Sequence, residues 1–316
     1  MRDETVGEAG EFTVIDRATQ GRVQPATTLV GPGDDAAVVA APDGRVVATT
    51  DMLVEGKHFR LEWSTPEQIG RKAIAQNGAD IAAMGARPTA YLVALGCPPS
   101  TPLTVTDGLT EGLWAEAAVV GAAIVGGDLV ESDQLVISVM ALGDLEGRSP
   151  VLLSGARVGD VVAVCGRLGR SAGGLALLAA DRDGAPELLA AHRVPMPPYS
   201  QGPVAAGAGA TAMTDVSDGL LADLGHIASA SGVSIDVSSA ALTGDAVLNS
   251  AAVDLGVDEL AWLLTGGEDH ALAATFPGDA VVPEGWVAIG TVGEGGGVTV
   301  DGKEWQGSVG WRSFGK

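Results

Sequence analysis

The sequence predicts an α+β protein of two domains, and three observations carry this. The chain has 316 residues, enough for two hydrophobic cores. Short β-prone runs and amphipathic stretches follow one another along its length. A polar segment with Gly and Pro, DLEGRSP at 144–150, separates two such sets. The expected domains are therefore 1–147 and 148–316.

Composition narrows the function classes. Hydrophobic residues make up 46% of the chain, so it folds. Its formal net charge is −22, which repels nucleic acid and anionic membranes and excludes both as expected partners. An anionic substrate would need metal ions to invert the local sign. Cys97 and Cys165 stand far apart in apolar surroundings and read as core thiols. The polar start, MRDETVGEAGEF, is neither a signal nor a transit peptide, and no apolar run approaches ~18 residues. A cytoplasmic location is expected by default.

Taken in order, residues 4–20 form an amphipathic run with Glu11, Phe12 and Ile15, read as a helix. Residues 31–59, GPGDDAAVVAAPDGRVVATTDMLVEGKHF, place Asp34 and Asp35 after a glycine-rich turn. Val38-Val39 and Val46–Thr50 flank a Pro-Asp-Gly turn and predict a hairpin with acids at one edge, ending in Thr49-Thr50-Asp51, with His58 beyond. Crowded carboxylates and hydroxyls suit Mg²⁺ or Ca²⁺; the alternative is two solvated acidic loops. Residues 65–85 read as a helix, capped by Thr65 with Pro66 in its first turn. Asn77 and Asp80 fall inside its apolar stripe, where a carboxylate calls for a cation or donors; a surface Asp at the stripe's edge is the other reading.

A buried strand is expected at 90–97, a helix at 106–123 and a strand at 135–142. Between the last two, Ile124-Val125 leads into Gly126-Gly127-Asp128, either a close approach to a phosphate–metal pair or an ordinary turn. The second half opens with a strand at 160–165. GRLGRSAGGLALLAA follows, a glycine-rich turn entering a helix with N–H groups suited to an anion, or a loop packed tightly through its glycines. Residues 183–203 hold five prolines and read as an irregular connection around a short helix. Asp215, Ser217 and Asp218 precede a helix that Ser217 or Asp218 would cap. A strand follows at 233–237. Residues 260–276 carry another Gly-Gly-acid turn, Gly266-Gly267-Glu268-Asp269, before a strand.

The stretch 297–304 nearly matches a phosphate-binding loop, but Glu304 follows the lysine where Ser or Thr is required, and the segment reads as a hairpin. Acids at 34–35, 51, 80, 128, 215 and 218 each lie beside Gly, Thr or Ser, with few basic residues near. That inventory fits several Mg²⁺ ions holding a polyphosphate. Phosphoryl transfer needs positioning and charge stabilisation, and a phosphate acceptor needs no general base.

The segments GPGDDAAVV, TTDMLVEGKHF, GRKAIAQNGADIAAMGARP, VGGD, GRLGRSAGGLALL, TDVSDGLLADLGHIA and LTGGEDHALAATF together resemble the thiamine-monophosphate kinase family. That family lies within the superfamily of aminoimidazole ribonucleotide synthetase. The resemblance implies two α/β-type domains, with the first domains of two subunits forming a shared β-barrel and a homodimer. It implies ATP-dependent phosphorylation of thiamine monophosphate to thiamine diphosphate. By resemblance, Asp35, Thr49, Thr50, Asp51, Asp80, Asp128, Asp215 and Asp218 match Mg²⁺ ligand positions, with Asp34 beside them. Gly127, Asp128 and Ser217 match nucleotide-binding positions, and His58, Glu268 and Trp311 match substrate contacts.

Two departures stand out. By resemblance, Leu153 occupies a position where the family has an ATP-contacting Arg; the alternatives are compensation by Arg148 or Arg157, or weaker ATP binding. The residues after Glu268-Asp269 are His270-Ala271 in place of Tyr-Glu. Alternatives are another ATP-using enzyme of the superfamily or a non-catalytic metal-binding relative.

Overall fold

The computed structural model describes residues 3–33 and 36–311. The predicted ligands Asp34 and Asp35 lie outside them. The chain divides into two compact units, residues 1–81 with 87–146, and 82–86 with 147–316.

The amphipathic run at the start is two helices, α1 (Val6–Ala9) and α2 (Glu11–Thr19), interrupted at Gly10. Strands β1 (Thr28–Val30) and β2 (Val38–Val39) pair with each other. The predicted hairpin across 42–44 is therefore not formed. Its turn exists, with Gly44 N–H on Ala41 O. But β3 (Val47–Val54) takes its eight-residue register from β6 (Val136–Asp144), a partner of matching length that two residues of β2 cannot rival.

Between them lie α3 (Pro66–Ala83), β4 (Arg87–Cys97), α4 (Leu103–Val119) and β5 (Ala123–Glu131). Thr65 and Gln68 form a reciprocal cap at the start of α3, so the Thr-Pro signal does set this helix. The sheet order is β3-β6-β4-β5, with β4 and β5 parallel through α4. Helices α3 and α4 meet backbone to backbone: a Cβ on Gly112 would sit 1.9 Å from the Glu67 carbonyl. Strand β5 continues through Gly126-Gly127-Asp128 after a one-residue register shift at Val125, so this is not the turn it resembles in sequence. A Cβ on Gly127 would lie 2.0 Å from Val93 O, so close strand pairing is the reason for glycine there.

The second unit is built on a seven-stranded sheet. Its elements are β7 (Val161–Cys165), α5 (Arg170–Ala179), α6 (Pro186–Arg193), α7 (Gln201–Gly207), β8 (Ala212–Asp215), α8 (Leu220–Ser231) and β9 (Ser234–Val237). After them come α9 (Ala246–Leu255), α10 (Glu259–Thr265), β10 (Leu272–Phe276), β11 (Trp286–Gly293), β12 (Gly297–Val300) and β13 (Lys303–Glu304). The strand order is β13-β12-β9-β11-β7-β10-β8.

Both faces of the sheet are covered. Val162 and Val164 point to the core under α8, while Ala163 and Cys165 point to the opposite core with Phe276 and Trp286. This two-sided burial explains why β7 reads as an unbroken apolar run. The proline-rich stretch 183–203 holds one helix and the start of a second, because Pro203 falls in the first turn of α7, where its missing N–H costs nothing. Residues 297–304 form the hairpin β12–β13. Cys97 and Cys165 are buried free thiols, and burial pushes both pKa values up.

Candidate active site

In the first unit the site residues sit on regular elements. Strand alternation turns Thr49 and Asp51 toward α3 and Thr50 to the open face, which matches their burial. The Thr49 hydroxyl donates to Asp80 Oδ2 at 2.8 Å. The Asp51 backbone N–H donates to Asn77 Oδ1 at 3.0 Å, and Asn77 Nδ2 donates to Ala73 O at 2.9 Å. The Asn77 amide, 1% exposed, thus has its orientation set from both ends and locks β3 against α3. Thr50 donates instead to Val139 O at 2.9 Å. Asp128 lies on β5, at the opposite edge from β3, exposed on the open face. Three strand spacings separate those edges, about 14 Å. The structure therefore brings Thr49, Asp51 and Asp80 together on the α3 side of this unit, turns Thr50 to the open face of the same strand and places Asp128 on that face at the far edge.

His58 stands in the turn after β3. Its Nδ1 accepts the Val54 N–H at 3.0 Å, which leaves the ring proton on Nε2. The buried Lys72 ammonium donates to His58 O at 3.1 Å and fixes the turn.

In the second unit the site residues sit on loops. Asp215 ends β8, buried, with Oδ2 2.9 Å from His270 Nδ1. The loop 266–270 is stitched to the loop 215–218 by Glu268 N–H on Ser217 O (2.7 Å) and His270 N–H on Val216 O (2.9 Å). Both Glu268 and His270 adopt positive φ, +62° and +51°. Trp311 N–H donates to Asp218 O at 2.9 Å, so its exposed indole stands beside the same loop. Glu268 Oε2 lies 3.5 Å from Nδ1 of the buried His192, which also contacts Ser171 Oγ at 3.0 Å.

Two expectations for this unit are corrected. The cap of α8 is neither Ser217 nor Asp218: Asp223, from inside the helix, accepts the N–H groups of Ser217, Asp218 and Gly219 at 3.0–3.1 Å. The N–H groups entering α5 are not open to an outside anion either. Asp269 accepts those of Gly169 and Ser171. Burial pushes the Asp269 carboxyl up to about 7, and the helix N–H groups pull it back. Burial, then the charges of Asp215 and Asp218, push Asp223 up to about 7 as well. The sequence does not single out Asp223 or His192, and it marks Asp269 only as an acid of a Gly-Gly-acid turn, without its role on α5. An acid one turn into a helix that follows Asp-Gly is the signal that could have found Asp223.

The donor set suits a hard divalent cation. Its atoms are carboxylate and hydroxyl oxygens. Ligand atoms of Asp218, Asp223 and His226 lie within 4.8 Å of one another. The crowding of Asp215, Asp218 and Asp223 is the unfavourable charge arrangement that a cation relieves. Leu153 begins a short 3₁₀ turn, its carbonyl held by Ser231 at 2.8 Å, and Arg148 is turned to Gly85 O at 3.4 Å.

This two-unit arrangement has known counterparts. The family model described as AIR synthase related protein, N-terminal domain, matches residues 33–145. A thiamine-monophosphate kinase of Mycobacterium tuberculosis is 59% identical over 314 residues, covering 99% of this chain and 94% of the relative. The crystal structure of thiamine monophosphate kinase from Aquifex aeolicus superposes with a TM-score of 0.79 at 32% identity, covering 97% of this chain and 100% of that one. A structure described as AaThiL complexed with AMPPCP and TMP gives a TM-score of 0.81 at 33% identity, covering 99% of both chains. The fold is that of the aminoimidazole ribonucleotide synthetase-like α/β proteins. Within that class, the chain belongs to the thiamine-monophosphate kinase family.

Proposed function

We propose that this protein transfers the γ-phosphoryl group of ATP to thiamine monophosphate, giving thiamine diphosphate and ADP. The observation that carries this is the 59% identity to a thiamine-monophosphate kinase across 99% of the chain. AaThiL complexed with AMPPCP and TMP supports ATP and thiamine monophosphate as the two substrates.

Asp35, Thr49, Thr50, Asp51, Asp80, Asp128, Asp215 and Asp218, with Asp34 beside them, hold Mg²⁺ in this reading. When bound, Mg²⁺ supplies positive charge for the polyphosphate. Gly127, Asp128 and Ser217 contact the nucleotide. His58, whose Nε2 carries the ring proton, Glu268 and Trp311 contact thiamine monophosphate. The acceptor phosphate is already ionised at neutral pH, so no side chain serves as catalytic base.

Residues 1–147 form the metal- and nucleotide-binding, dimerising domain in this proposal, and 148–316 the second domain. Met52, Val130 and Met140, 53%, 53% and 42% exposed, lie on the open face of the first sheet. That apolar face supports a homodimer closed as a shared β-barrel. Among the described residues no helix is long and apolar enough to cross a membrane. A cytoplasmic location is proposed.

The test is to incubate the purified protein with ATP, Mg²⁺ and thiamine monophosphate and follow thiamine diphosphate by chromatography. Asp51→Asn is expected to lower the rate by about 10²-fold or more, the scale of losing one charge-stabilising group, with its melt unchanged. A folded protein that binds ATP yet forms no thiamine diphosphate overturns the substrate.

A further inference from the structure

We infer that His270 is a positioning residue that aims the Asp215 carboxylate at a divalent cation. This rests on the reading in which Asp215 is a metal ligand. The pair is buried, with His270 5% and Asp215 7% exposed, and its atoms are 2.9 Å apart. An ionised carboxylate only accepts, so His270 Nδ1 carries the hydrogen and donates to Oδ2.

The backbone that carries the ring is fixed independently of this contact. His270 N–H is held by Val216 O, and Val216 N–H by Ala271 O at 2.7 Å, so the two loops are clasped on either side of the imidazole. The positive φ of +51° is one that His tolerates better than most side chains. With the backbone of His270 clasped and its ring buried, the carboxylate takes its orientation from the ring. Oδ2 is committed to His270, and Oδ1 is the atom offered to the cation. Partners of this kind set the orientation and basicity of ligands, and removing them costs about 10–100-fold in metal affinity.

The experiment is a Mn²⁺ titration of the full chain without nucleotide, read by electron paramagnetic resonance of free Mn²⁺, with thermal melts alongside. His270→Leu is expected to weaken one site by about ten-fold or more. His270→Asn, which keeps a donor at similar reach and tolerates the left-handed backbone, is expected to recover most of that loss. The double variant with Asp215→Asn is expected to bind no more weakly than Asp215→Asn alone, because the two residues act as one. In turnover, His270→Leu raises the Mg²⁺ concentration required while kcat at saturating Mg²⁺ stays close to that of the parent.

If Asp215→Asn weakens Mn²⁺ binding and His270→Leu does not, the positioning role is overturned and the ligand reading survives. If Asp215→Asn binds Mn²⁺ like the parent, the ligand reading falls and this inference with it. Should His270→Leu not melt cooperatively, His270→Asn and His270→Ser decide the matter. Equal Mn²⁺ affinity for those two overturns the role, because serine is too short to reach Oδ2.

Discussion

The two units hold their acids by opposite means. In the first, Asp51 and Asp80 stand on a strand and a helix, locked by Thr49 and the buried Asn77. In the second, most of the acids stand on loops or at strand ends, and two, Asp269 from a loop and Asp223 from inside α8, are spent on the N-termini of α5 and α8. In the first arrangement the helix that carries Asp80 is braced, because α3 and α4 touch through backbone at Gly70 and Gly112. The second is rigid because carboxylates saturate N–H groups that helices leave open. An acid beside a glycine-rich turn is therefore ambiguous until one knows which N–H groups it reaches.

The largest effect is expected from breaking the backbone contact of the first unit. Gly112→Ala forces a Cβ against the Glu67 carbonyl and should destabilise the protein by about 3 kcal/mol, read by urea denaturation. A loss under about 1 kcal/mol would mean that α3 and α4 shift apart easily, and the contrast in rigidity would go.

A middle effect is expected from Asp269→Asn. The Asp269 pKa is raised in the folded state, so its contribution to stability is present at low pH and lost as pH rises through about 7. The melting temperature of the parent should therefore fall relative to Asp269→Asn between pH 5 and pH 8. The reverse trend would mean that the α5 N–H groups outweigh burial, and that this helix end favours a full negative charge.

The smallest effect separates neighbours. Thr49→Val removes the hydroxyl that Asp80 accepts and should slow turnover by about ten-fold, on the scale of a hydrogen bond to a charged group. Thr50→Val removes a bond to a backbone carbonyl on the other face and should cost less, about three-fold. Equal losses in steady-state assays would mean that the open face of β3 contributes as much as the face toward α3.

Elements with strong local signals were legible in the sequence. The cap at Thr65 marks α3, and the unbroken apolar run at 161–165 marks β7. Pairing partners were not legible. β2 is only two residues long, and nothing local says that β3 would take Val136–Asp144 instead. Gly126-Gly127 reads as a turn because glycines punctuate loops, yet the constraint at Gly127 is the Val93 carbonyl, 34 residues earlier in another strand. Thr49 and Asp80 each stood out as candidates, but their contact across 31 residues belongs to the packing of β3 on α3. The capping roles of Asp223 and Asp269 escaped because a cap supplied from within a helix, or from a loop 98 residues away, has no fixed spacing to recognise.

The occupied helix ends also bear on inhibitor chemistry. A phosphonate or tetrazole built to dock on the turn entering α5 meets Gly169 and Ser171 already bound to Asp269. That acid is tethered to the chain, so its effective concentration is of the order of millimolar or above, and a free compound must outcompete it. Compounds aimed at this unit do better to present a cation or a neutral ring to the partly exposed Glu268 and the exposed indole of Trp311.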